Sequence, residues 1–82
     1  MCEFVGYRVV KGQKDGKDYC FRLGIFLQQV DENFGLGLEP VLNRGRLPII
    51  SDDFFNNYKF GTKFKELLFD YRGAVVSGIE EK

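Results

Sequence analysis

Residues 18–29 read DYCFRLGIFLQQ, and the alternation in this stretch decides the fold class. Tyr19, Phe21, Leu23, Ile25 and Leu27 take the odd positions; Cys20, Arg22, Gly24 and Phe26 take the even ones. Successive side chains of a strand point to opposite faces, so this period of two predicts a β-strand. The odd set is the more apolar and is expected to face a core. Upstream, residues 11–17 (KGQKDGK) are turn chemistry, with Asp15-Gly16 a hairpin signal because glycine reaches positive φ without steric cost. Residues 3–10 (EFVGYRVV), rich in aromatic and β-branched side chains, form the preceding strand.

Working outward, residues 31–34 (DENF) are a polar loop, and residues 35–42 and 46–50 are two short strands around Asn43-Arg44-Gly45. Both prolines, Pro40 and Pro48, fall there and mark that pair as irregular or at an edge. Ser51 caps a short helix over residues 52–58, with Asp52 and Asp53 at the positive end of its dipole and Gly61 beyond its end. Residues 63–70 and 74–80 form a final hairpin around Tyr71-Arg72-Gly73; the alternation of Leu67, Phe69 and Tyr71 favours strand over helix. No repeat, low-complexity tract or linker interrupts residues 1–82, which are expected to be one domain. The fold class is mostly β: a small antiparallel barrel of five or six strands, oligonucleotide-binding-like, with one short helix.

Composition narrows the chemistry. The 82 residues contain no histidine, which removes the commonest general base and the usual hydrolytic triads. Gly35-Leu36-Gly37 lacks the third glycine and following helix of a phosphate loop. Nothing near Asp52 and Asp53 completes a cation or acid–base site, and Asp70 is most simply a turn acid. Two cysteines, Cys2 and Cys20, make neither a disulfide framework nor a metal signature. The expectation is a non-enzyme with no catalytic residue, cofactor or metal. Reduced thiols, no leader pattern and no membrane-length apolar run point to the cytoplasm.

Twelve cations balance twelve acids, so bulk charge does not draw this chain to polyanions. Residues 1–30 carry five cations against three acids. With the odd residues inward, the opposite face of the first two strands gathers Phe4, Arg8, Val10, Arg22 and Phe26, and the connecting turn adds Lys11, Lys14 and Lys17. Exposed rings stack on bases and guanidinium groups pair with phosphates, as a single-strand-binding surface requires. On the other reading Phe4, Val10 and Phe26 face a second core layer or the helix.

Gly16-Lys17-Asp18-Tyr19, a basic glycine turn leading into a long strand, resembles the single-stranded DNA-binding proteins of filamentous phages. Tyr58-Lys59-Phe60-Gly61 is similar to that family's aromatic-Lys-x-Gly step. The resemblance implies a homodimeric barrel of phage or plasmid replication, with Lys17 and Tyr19 on a DNA-binding wing and Arg8 and Arg22 on phosphates. The candidate nucleic-acid-binding residues are thus Arg8, Lys14, Lys17, Tyr19, Arg22 and Phe26. Sequence-tolerant binding of single strands is the first function expected. A protein-interaction or self-association module built on exposed aromatics is the alternative. A homodimer is expected because the chain lies near the size at which one core suffices, and no membrane partner is expected.

Overall fold

The computed structural model describes residues 1–81. Asp15 and Gly16 both take positive φ, 53° and 77°, the signature of the tight turn that matches the twist of a hairpin. The ladder therefore closes at once on Lys14 and Lys17. Strand β1 spans Cys2–Lys14 and β2 spans Lys17–Gln29. β1 continues past the expected residue 10 because a two-residue turn leaves Lys11, Gly12, Gln13 and Lys14 opposite partners on β2.

Beyond β2 come β3 (Leu38–Pro40), β4 (Ile49–Ile50), the helix α1 (Asp52–Asn57), β5 (Lys63–Phe69) and β6 (Val75–Glu80). The fold is mostly β, and its hydrogen bonds close a ring: β1 pairs β5, β5 pairs β6, β6 pairs β4, β4 pairs β2, and β2 returns to β1. β3 adds to β2 outside the ring. One pairing, β4 with β6 at Ile50 and Val75, is parallel, a departure from the all-antiparallel expectation. α1 carries the chain across between β4 and β5, so the strand after β5 runs in the direction of β4. The expected strands over residues 35–42 and 46–50 shrink to β3, which ends at Pro40, and β4, which begins just after Pro48.

The core is small and aromatic: Phe4, Phe26, Ile50, Phe54, Phe64 and Val75. Phe54 comes from α1, whose first turn is held by the Ser51 hydroxyl accepting from the Phe54 N–H at 3.1 Å. Its ring lies 5.3 Å from that of Phe4 and 5.6 Å from those of Phe26 and Phe64. Phe4 and Phe26 stack at 5.0 Å. Gly24 is required beneath this cluster, since a Cβ there would lie 2.6 Å from Ile50 Cγ2 and from the Phe26 ring.

These contacts correct the expected parity. The buried face of β2 carries Gly24 and Phe26, whereas Tyr19, Phe21, Leu23, Ile25 and Leu27 face the other side, half-buried or exposed. On β1 a register shift between Phe4 and Gly6 moves Phe4 and Tyr7 onto one face. Tyr7 and Val9, expected inward, do take the helix side, opposite Gly24 and Arg22, but remain 38% and 46% exposed, and Val5, at the register shift, is 36% exposed. Alternation separates two faces but does not say which one a helix will cover. α1 lands on the even face of β2.

Candidate nucleic-acid interface

The ladder sorts the six predicted residues. Arg8 pairs with Leu23, Val10 with Phe21, Gly12 with Tyr19, and Lys14 with Lys17. Alternation places all of these on the face away from α1. Arg8, Lys14, Lys17 and Tyr19 therefore share one surface, and all four are exposed. Tyr19 lies on this outer face and not on the buried face expected for the odd positions of β2. Its ring crosses Gly12, where any Cβ would collide with it, and stacks on Phe21 at 5.9 Å between centroids.

Arg22 and Phe26 do not belong to this surface. Phe26 is 0% exposed in the core and presents no ring to a ligand. Arg22 pairs with Val9 and Ile50 on the helix side. Its guanidinium lies 4.2 Å from the Phe55 ring centroid and donates to Asp52 Oδ1 at 2.8 Å. It fastens the start of α1 to the sheet. The ion pair is half in water, so its contribution is modest.

The outer face continues beyond β1 and β2 into residues that sequence reasoning did not select. Leu23 pairs with Ile49, and a groove of about 640 Å³ opens over Val10, Phe21, Leu23, Pro48 and Ile49. Its rim carries Arg44, Arg46 and Arg72. Arg44 and Gly45 take φ of 55° and 77° in a tight turn closed by Asn43 and Arg46. The Asn43 side chain donates to the Gly73 carbonyl at 3.1 Å, latching this turn to the β5–β6 turn. The Asp70 carboxylate accepts from the Arg72 and Ala74 N–H groups, both at 2.9 Å, and so shapes the loop that carries Arg72. The bond from Ala74 is the largest of the effects that hold the Asp70 carboxyl below its ordinary pKa; desolvation opposes it, and the bond from Arg72 and the charge of its guanidinium add to it. Tyr71, 88% exposed, stands beside Arg72, whose guanidinium is 5.4 Å from the ring centroid. The signal for this cluster was present in Asn43-Arg44-Gly45-Arg46 and Tyr71-Arg72-Gly73, but each looked like turn chemistry alone.

Arg8, Lys14, Lys17, Arg44, Arg46 and Arg72 thus border one apolar strip. The outward positions of the paired ladder from Gly6 to Lys14 and from Lys17 to Ile25 hold no carboxylate, and none lines the groove. The nearest acids are Asp15, in the turn between Lys14 and Lys17, and Asp70, which holds the Arg72 loop. Among the described residues no group of acids, cysteines or histidines is placed to hold a metal ion, and no helix is long and apolar enough to cross a membrane. The chain matches no protein-family model, no curated protein and no solved structure.

Proposed function

We propose that the protein binds single-stranded nucleic acid on this outer face, without catalysis and with little dependence on base sequence. One observation carries the reading: six cations border an apolar and aromatic strip whose ladder positions carry no acid. Phosphates pair with the arginines and lysines along the edges, and bases lie on Tyr19, Phe21 and Tyr71. The ring order supports it. With β3 set aside, β2 and β4 are the second and third strands of a five-strand ring with a helix after the third. Oligonucleotide-binding barrels use that face, with the first hairpin turn and the last one. Those turns here carry Lys14, Lys17, Tyr71 and Arg72. A role like that of the filamentous-phage single-strand-binding proteins fits the Gly16–Tyr19 resemblance and the same face.

The test is titration of a labelled single-stranded oligonucleotide at several salt concentrations. Binding should weaken steeply with salt, and Arg46→Ala and Arg72→Ala should each reduce the salt slope by about one unit. No binding at low salt, or a slope untouched by both variants, overturns the reading.

A further inference from the structure

The cations of the outer face are unevenly placed. Arg8 and Lys14 stand six residues apart on β1, about 20 Å of strand, and Lys17 lies opposite Lys14. Arg44, Arg46 and Arg72 instead line a single groove of about 640 Å³, a size that holds one small ligand. Three like charges brought to one groove repel one another unless an anion joins them. Among the described residues the one ion pair is Arg22 with Asp52, so none of these three guanidinium groups has a carboxylate partner.

The fold nevertheless holds them together. The Asn43 side chain donates to the Gly73 carbonyl at 3.1 Å, and the two turns approach so closely that a Cβ at Gly73 would meet Asn43 Nδ2 at 3.0 Å. Arg44 takes a left-handed φ of 55° to stand there. Asp70, the acid next to Arg72 in the loop, gives its Oδ1 to the Arg72 and Ala74 N–H groups. The floor of the groove is apolar, with Phe21, Leu23, Pro48 and Ile49. Concentrated positive charge beside an apolar floor suits a base joined to a phosphate group bearing more than one charge. A phosphate inside a strand bears a single charge. A terminal phosphate ester bears roughly 1.5–2 at pH 7.

We propose that this groove seats the phosphorylated end of a single strand, the last base over Phe21 and Leu23 and the terminal phosphate among Arg44, Arg46 and Arg72. The inference rests on the reading of the outer face as a nucleic-acid surface and names the part of the strand that the groove selects. The planar guanidinium groups pair with the doubly charged phosphate, and Arg8, Lys14 and Lys17 meet the phosphates that follow. A free nucleoside diphosphate offers the same chemistry to the groove but forgoes the cations of the hairpin.

Competition binding to the full chain tests this, with one short oligonucleotide sequence carrying a 5′-phosphate, a 3′-phosphate or hydroxyls at both ends. One phosphorylated form should bind about tenfold more tightly than the hydroxyl form, the gain of one further charge-assisted hydrogen bond. Arg72→Ala, at an exposed side chain, should bring that ratio close to one. Arg8→Ala should weaken all three forms and leave the ratio unchanged. Adenosine diphosphate should displace the phosphorylated strand only when in large excess. Equal affinity for the three forms, or a ratio that survives Arg72→Ala, overturns the proposal and leaves the nucleic-acid reading standing. Displacement by adenosine diphosphate at equal concentration assigns the groove to free nucleotides and also overturns it. If no form binds at low salt, the reading and the proposal fall together.

Discussion

Leu23 and Phe26 stand three residues apart on β2 and face opposite ways, one over the arginine groove and the other into the core. Phe26→Ala removes a ring packed against Phe4, Phe54 and Phe64 and should cost about 3–5 kcal/mol in denaturant unfolding. Leu23→Ala, at a half-buried site, should cost clearly less in the same assay; equal losses would mean that both faces are core. Asp70 offers a pH test. Its folded pKa is lowered chiefly by the Ala74 N–H bond, so its stabilising effect is present above the unfolded carboxylate value of ~3.9 and is lost as pH falls through the folded value. In Asp70→Asn the amide oxygen still accepts those bonds but cannot titrate. The unfolding midpoint of this variant, followed against pH, should therefore fall less than that of wild type below about pH 4. Parallel curves would remove Asp70 from the acid response.

At the scale of the element, two short pieces set the site. α1 is one and a half turns and depends on its cap: Ser51→Ala should destabilise by about 1 kcal/mol. The Asn43–Arg46 turn holds an arginine in the left-handed region, at φ 55°, where a side chain other than asparagine or glycine is disfavoured by about 1 kcal/mol or more. Arg44→Asn should thus raise stability by about that amount while lowering oligonucleotide affinity, because strain is kept where a cation is presented. Urea midpoints and binding titrations on the same variant check both signs. Loss of stability would show that Arg44 is held by packing; unchanged affinity would exclude it from the interface.

Over the whole molecule, net charge is zero, so any attraction to a polyanion must come from the six cations of the outer face. If all six cations of the outer face neutralised a phosphate, log K against log salt would fall with a slope of about −4 for a single strand. Wild type should therefore show a clear negative slope no steeper than that. A flat line would mean that these cations have no polyanion to meet.

Strands, turns and helix were legible in residues 1–82 because each rests on local physics: alternation in β2, positive φ at Asp15-Gly16, and the Ser51 cap. The outer-face grouping of Arg8, Lys14, Lys17 and Tyr19 follows from that alternation once the outward face is known. The sequence by itself did not determine which face of β2 is buried, since both faces carry large apolar residues and the choice depends on where α1 packs Phe54. Nor did it show that the register shift at Phe4–Gly6 places Tyr7 with Phe4, or that Arg22 belongs to the helix. The joining of Arg44, Arg46 and Arg72 was likewise beyond it. Asn43 and Gly73 meet across 30 residues of chain, and only closing the ring of strands brings their turns together.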